Sequence, residues 1–152
     1  MVFKILRLAI PFIWFGAVCA ISFMEAPLKF GAPNITLELG LGIGRIVFHA
    51  LTKVEISLAV LLLVSFLYTR SRRDLSFALA AIVFAILLLQ TVWLLPVLDL
   101  RASALLQGEP LPPSHLHIVY IAVDVIKVVL LLTIGFRGLI GAVREGERSI
   151  AV

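Results

Sequence analysis

Four long apolar stretches fill nearly all of this 152-residue chain, and they constrain its fold more than any other feature. Three of them carry no charge and cover residues 8–24, 56–69 and 75–98. The fourth, residues 116–136, contains Asp124 and Lys127. A hydrocarbon core about 30 Å thick requires about 20 helical residues, and backbone groups in lipid must be paired within their own segment. The sequence therefore predicts an all-α, integral membrane four-helix bundle.

Composition supports a single transmembrane domain. Hydrophobic residues make up 62% of the chain and charged residues only 14%, which is too apolar for a water-soluble domain of this size. The predicted spans cover residues 5–25, 41–69, 75–97 and 114–136, with Asp74 capping the third span and a loop from Asp99 to Ser114 following it. The only cysteine, Cys19, excludes an intramolecular disulfide. A cleaved signal peptide ending near Ala20 is a less favoured interpretation of the first span.

The distribution of basic residues predicts the orientation of the bundle. Eight of the thirteen basic residues fall on one side of the predicted spans: Lys4, Arg7, Arg70, Arg72, Arg73, Arg137, Arg144 and Arg148. The opposite joins contain only Lys29 and Arg101. The positive-inside rule places both termini in the cytoplasm, and the tight turn from Tyr68 to Asp74 makes neighbouring spans antiparallel, in an up-down-up-down bundle. The net charge of +4 is thus explained by the bilayer, and no nucleic-acid partner is expected.

Polar side chains from different spans occur at similar depths. At 1.5 Å per helical residue, Lys53, Glu55, Gln90 and Asp124 all lie about 20–25 Å from the cytoplasmic ends of their spans. Ionisable groups at such depths are costly and are generally functional. The sequence predicts a polar, ligand-binding cavity in the outer half of the bilayer. Its predicted lining residues are Arg45, His49, Lys53, Glu55, Gln90, His117, Tyr120, Asp124 and Lys127.

Helical periodicity suggests how the charges pair. Residues 117, 120, 124 and 127 share an arc of about 80°, and residues 45, 49 and 53 form a similar stripe, whereas Glu55 points away from that stripe. Two pairs match in sign and depth: Lys53 with Asp124, which is favoured, and Glu55 with Lys127. Asp124→Asn should then destabilise the protein and Lys53→Met should restore it. Alternatively, the ion pairs only specify how the helices dock.

Three histidines lie near the predicted outer surface: His49, His115 and His117. Imidazoles, together with Met24 and Glu25, could bind copper or zinc, or two imidazoles could ligate a haem. His49 and His117 end the two polar stripes and are the best candidates for metal ligands. No motif for hydrolysis or nucleotide binding is present, so an enzymatic function is not favoured.

Two segments resemble a pattern found in small uncharacterised bacterial four-helix membrane proteins, which look like distant relatives of the membrane domain of copper-resistance D proteins. They are Phe23-Met24-Glu25-Ala26-Pro27-Leu28-Lys29-Phe30 and Gly44-Arg45-Ile46-Val47-Phe48-His49-Ala50-Leu51. The resemblance implies a four-helix bundle in a bacterial inner membrane and, for His49 and His117, a link to copper or haem. The first span lacks the histidine of the haem-handling branches.

Three functions follow from these patterns. The first is binding of a small or metal-containing ligand in the cavity, with transport, for which a homodimer could be required. The second is a non-catalytic accessory or assembly subunit of a larger membrane complex. The third, ranked lowest, is a haem- or quinone-linked membrane oxidoreductase. Lipid is a partner in all three.

Overall fold

The computed structural model of this chain describes residues 1–69, 74–109 and 112–150. These residues form four helices and no strand: α1 (Val2–Gly31), α2 (Leu37–Tyr68), α3 (Leu75–Leu106) and α4 (Leu116–Ile150). Each helix is long and apolar enough to cross a membrane. The predicted all-α fold, with four helices long and apolar enough to span a membrane, is therefore confirmed.

Helices α1 and α3 extend beyond their predicted ends, at residues 25 and 97. Each contains a π-helical segment, Cys19–Glu25 in α1 and Gln90–Leu94 in α3. Pro27 and Pro96 each lie in the first turn after their π segment. A proline within a helix lacks one backbone N–H, and local π adjustments such as these re-satisfy the backbone groups that it frees in a membrane helix. The prolines therefore do not end the helices, and much of the predicted loop from Asp99 to Ser114 is helical.

Local signals explain where α2 and α3 begin. The Oγ1 of Thr36 accepts a hydrogen bond from the Leu39 N–H at 3.2 Å, and Asp74 caps α3 through the Ser76 N–H at 3.2 Å. The cap at Asp74 agrees with its prediction. The preceding turn, predicted to be tight, includes residues 70–73, which lie outside the described part of the chain.

Glycines allow close approach at two places in the bundle. A Cβ atom on Gly40 would lie 2.2 Å from the ring of Phe30, and one on Gly44 would lie 2.9 Å from the Lys29 Nζ. These two glycines therefore let the end of α1 pack on a regular α2. Gly135 of α4 admits the ring of Phe12 in the same way.

The apolar core lies along α1, which packs against both α2 and α4, while α3 packs against α4. Its fully buried side chains include Trp14, Leu62, Phe66, Val83 and Leu131. Most other large apolar side chains of the described helices face outward, where lipid would surround them. This arrangement leaves the interior of the bundle as the only place where a polar group can be shielded from lipid by protein.

Candidate functional site

A group of charged and polar side chains lies in the interior of the bundle, and every helix contributes to it. We call this group the charged cluster; it consists of Trp14, Glu55, Gln90, Asp124 and Lys127. None of the five is more than 2% exposed. Trp14 comes from α1, Glu55 from α2, Gln90 from α3, and the other two from α4. The predicted convergence of polar residues from separate helices is thus present in the structure, with Trp14 as the contribution of α1.

Lys127 is the centre of the charged cluster. Its Nζ lies 2.5 Å from Glu55 Oε1, 2.9 Å from Asp124 Oδ1 and 2.7 Å from Gln90 Oε1. An ammonium group has three N–H donors. Each donor therefore has one acceptor, and the charge is held by contacts to three different helices.

Neutral donors complete the arrangement around the two carboxylates. The Trp14 Nε1–H donates to Glu55 Oε1 at 2.8 Å, and the Gln90 Nε2–H donates to Asp124 Oδ1 at 2.8 Å. The amide of Gln90 thus binds Lys127 with its oxygen and Asp124 with its nitrogen. Asp124 Oδ2 is buried and has no hydrogen-bond partner among the described residues. This carboxylate oxygen is consequently left unsatisfied.

The spacing of residues along each helix determines where these side chains point. Asp124 and Lys127 are three residues apart on α4 and therefore share a face. Gln90 is the first residue of the π segment of α3, and such segments are frequent at functional sites because they displace side chains from the regular helical register. The π segment thus positions the only amide of the charged cluster.

The predicted pairing of Lys53 with Asp124 is wrong. Lys53 is exposed, whereas Asp124 contacts Lys127 and Gln90. Lys53 and Glu55 are two residues apart, so their side chains point about 200° apart around the helix axis. Only one of the two can therefore face the interior. Glu55 does so and pairs with Lys127. The proposed rescue of Asp124→Asn by Lys53→Met has therefore lost its structural basis.

A cavity of about 820 Å³ lies beside the charged cluster, between the ends of all four helices. Fifteen of its 23 lining residues are apolar or glycine, contributed mainly by phenylalanine, leucine and proline side chains. The polar lining residues are Ser22, Lys29, Arg45, Asp99, Arg101, Ser114, His117 and Tyr120. Tyr120 is buried, meets Phe48 edge to face and lies one helical turn before Asp124. The cavity and the charged cluster are therefore neighbours along α4.

Ion pairs and hydrogen bonds organise the charges around the cavity. Lys29 Nζ lies 3.6 Å from Glu25 Oε2, and Arg45 Nε lies 3.5 Å from Asp99 Oδ1. Arg101 donates to the backbone oxygen of Pro112 at 2.5 Å. The lining thus contains three basic groups and one carboxylate, a net positive charge.

The two histidines predicted to bind a metal line different cavities. His117 lines the large cavity, whereas His49 lines a separate groove on α2 with Gly42, Arg45, Ile46, Ala50 and Lys53. His49 Nε2 lies 2.6 Å from Asp99 Oδ2. Among the described residues no group of three or more His, Cys, Asp or Glu side chains could hold a metal ion. This geometry gives the predicted copper or haem site no support.

The nine predicted site residues thus divide into three groups. Four belong to the charged cluster, three line the large cavity, of which Arg45 also lines the groove, and His49 and Lys53 are found only in the groove. The sequence interpretation missed Trp14 and Asp99. Tryptophan is enriched at membrane interfaces. Trp14 lies well inside its span instead, and this unusual position is a sequence signal for a polar contact in the interior. Asp99 has no such sequence signal, because the sequence predicts that it lies in a loop.

No protein-family model, curated protein or solved structure matches this chain.

Proposed function

We propose that this protein is a small integral membrane protein that binds a small amphiphilic molecule, with an apolar body and an anionic head, in the large cavity. The observation that carries this proposal is the cavity itself, at about 820 Å³. Sites for small molecules and cofactors generally have volumes of about 300–1,000 Å³ and are mostly apolar, with a few polar groups that fix orientation. The cavity has both properties.

The lining defines the chemistry of the ligand. Phe23, Phe30, Phe48 and Leu98 form an apolar wall that favours an acyl or ring system. Arg101 brings a guanidinium to the same cavity, and guanidinium groups bind carboxylate and phosphate oxygens well. A ligand with its anionic head near the basic groups and its apolar body against the aromatic wall would match both parts of the lining.

An unsatisfied polar atom supports a polar contact from a ligand. Ser22 lines the cavity, is 7% exposed, and its buried Oγ has no hydrogen-bond partner in the described structure. Buried polar groups normally have a partner, and leaving one unpaired costs about 1–3 kcal/mol. A hydroxyl or carbonyl oxygen of a bound molecule would supply that partner.

Photolabelling tests the proposal. In lipid nanodiscs, a medium-chain fatty acid bearing a diazirine should label residues 40–48 and 95–105, and unlabelled fatty acid should compete. Its methyl ester should label weakly, because it lacks the charge that the basic groups bind. Ala102→Phe, which fills the cavity, should weaken labelling about tenfold, since overpacking costs about 1–3 kcal/mol.

Ala78→Phe is the matched control, because Ala78 is exposed on the same helix and does not line the cavity. It should leave the labelling unchanged. Labelling spread evenly over outward-facing residues such as Leu88 and Ile126, with no competition, would refute the cavity as a binding site. Competition by an anionic phospholipid but not by the fatty acid would identify the ligand as a membrane lipid.

The orientation proposed for the bundle is antiparallel, up-down-up-down, with both termini in the cytoplasm. The basic residues near the termini, together with Arg70, Arg72 and Arg73, support it through the positive-inside rule. The cavity would then open toward the non-cytoplasmic side of a bacterial inner membrane. A cytoplasm-active reporter fused at Val152 should be active, and activity of a reporter that folds only outside the cytoplasm would reverse the assignment.

An accessory subunit is the second candidate function, and the groove on α2 favours it. Lys53 and His49 are exposed there on a helix that would face lipid. A polar groove at that position suits contact with another membrane helix, from a second copy or from another protein. Lys53→Leu should then reduce the size of the complex in native gels of mild-detergent extracts, and an unchanged size would exclude this function for the groove.

A further inference from the structure

The charged cluster contains an excess of negative charge. Counted as ionised, Glu55 and Asp124 contribute two negative charges and Lys127 one positive charge, so the sum is −1. All three side chains are at most 1% exposed. An unpaired charge in the hydrocarbon core of a bilayer is costly. One further positive charge is therefore needed for the cluster to be neutral.

We propose that the charged cluster is a proton-binding site, in which one proton resides on Asp124 Oδ2. The site would exist whether or not the large cavity binds an amphiphile. A carboxylic acid has one hydroxyl oxygen and one carbonyl oxygen that still accepts hydrogen bonds. Asp124 has this asymmetry, because Oδ1 accepts from Gln90 and Lys127 while Oδ2 has no partner in the described part of the chain.

Contacts distinguish Asp124 from Glu55 as the protonated residue. Glu55 Oε1 accepts from Trp14 at 2.8 Å and lies 2.5 Å from Lys127 Nζ, which is a short, charge-assisted contact. Asp124 Oδ1 lies 2.9 Å from the same Nζ. The closer ion pair is that of Glu55 with Lys127, so Asp124 is the carboxyl in excess.

The surroundings of Asp124 supply no second cation. From α1 it faces Cys19 and from its own helix Tyr120, both within range of its charge, while α3 provides the neutral amide of Gln90 and α2 provides Glu55. Lys127 is the only cationic side chain in contact with it among the described residues. A bound metal ion would need several oxygen ligands, and no group of three or more His, Cys, Asp or Glu side chains among the described residues could hold one. A proton fits the buried, unpartnered Oδ2 of Asp124.

Charge balance then predicts how many buried carboxyl groups carry a proton in each variant. The wild type should have one, and Asp124→Asn none. Glu55→Gln should also have none, because Asp124 would replace Glu55 as the anionic partner of Lys127. Lys127→Met should have two, because no cation remains. These numbers differ from those of a cluster with two ionised carboxylates, in which the wild type has none.

Infrared spectroscopy of the full chain in lipid bilayers measures the contribution of aspartate to these numbers. With ¹³C in the side-chain carboxyl of aspartate only, the protein reports on three residues: Asp74, Asp99 and Asp124. One isotope-shifted C=O band of a protonated acid is expected, and it should disappear in Asp124→Asn. Asp74→Asn is the control that should retain the band, because Asp74 is partly exposed outside the bundle core.

Three results would overturn the proposal. The first is a wild-type spectrum without a protonated aspartate band. The second is a band that persists in Asp124→Asn. The third is a band that appears only when sodium is removed, which would mean that a metal cation neutralises the cluster. If Lys127→Met does not fold, the wild type, Asp124→Asn and Glu55→Gln still decide the question.

Discussion

Replacing Lys127 with methionine is expected to lower the free energy of unfolding by about 3–5 kcal/mol, the largest effect of any single change in the charged cluster. The variant removes the only cation of the cluster and leaves Glu55, Asp124 and Gln90 each without the donor they share. Methionine is an unbranched side chain only one heavy atom shorter than lysine, so loss of packing contributes little. Steric-trap unfolding in lipid bilayers measures this difference.

Lys53→Met is the matched control. Lys53 is exposed on α2 and has a similar predicted depth, but it does not belong to the charged cluster. Lys53→Met removes no buried ion pair, and a charge exposed at this depth is itself costly, so the variant should not lower the free energy of unfolding. If Lys53→Met destabilised the protein as much as Lys127→Met, burial of the charge would not be the reason for the effect.

Trp14→Phe is expected to cost about 1.5–3 kcal/mol of stability, the value of a hydrogen bond to a buried charged group. The change removes the Nε1–H that binds Glu55 Oε1 and keeps an aromatic ring in contact with the core. Glu55 would then depend on Lys127 alone among the donors identified for it. The same unfolding measurement applies, and intrinsic fluorescence then reports only Trp93.

The second tryptophan provides the control for this prediction. Trp93 is 52% exposed, so Trp93→Phe should change stability little. The double variant of Trp14→Phe with Glu55→Gln should lose less than the sum of the two single losses, because both remove the same hydrogen bond. Strictly additive losses would show that Trp14 acts through packing and not through Glu55.

The sequence was sufficient to identify most of the charged cluster. Counting 1.5 Å per residue placed Glu55, Gln90 and Asp124 at similar depths, and these residues lie together in the structure. The reason is energetic: an ionisable group deep in a span must find a partner within the protein. Residue type and depth therefore carry much of the information about such a site.

The sequence could not identify the correct pairs. The stripe of Arg45, His49 and Lys53 was assumed to face the interior because its members recur every four residues. Two of them instead lie close to Asp99, which was expected in a loop. Periodicity identifies residues that share a face but not the direction in which that face points. Only the packing of α1 against α2, which turns Glu55 toward Trp14, decides that.

The observed lining of the large cavity could not be predicted from the sequence either. Its walls include Phe30 and Leu105, which belong to helical extensions after Pro27 and Pro96. Prolines normally suggest that a helix ends nearby, and no sequence signal announced the π segments that accommodate them. A polar cavity was predicted at roughly this level, whereas the observed lining is mostly apolar.

The coupling free energy between Glu55 and Lys127 tests the central claim most directly, the claim that charges from separate helices meet at one buried point. Double-mutant cycles with Glu55→Gln and Lys127→Met, measured by unfolding in bilayers, should give a coupling of about 1.5 kcal/mol or more, as close charge pairs do elsewhere. The cycle for Lys53 and Asp124 should give about 0.5 kcal/mol or less. A strong coupling between Lys53 and Asp124, with none between Glu55 and Lys127, would contradict this account.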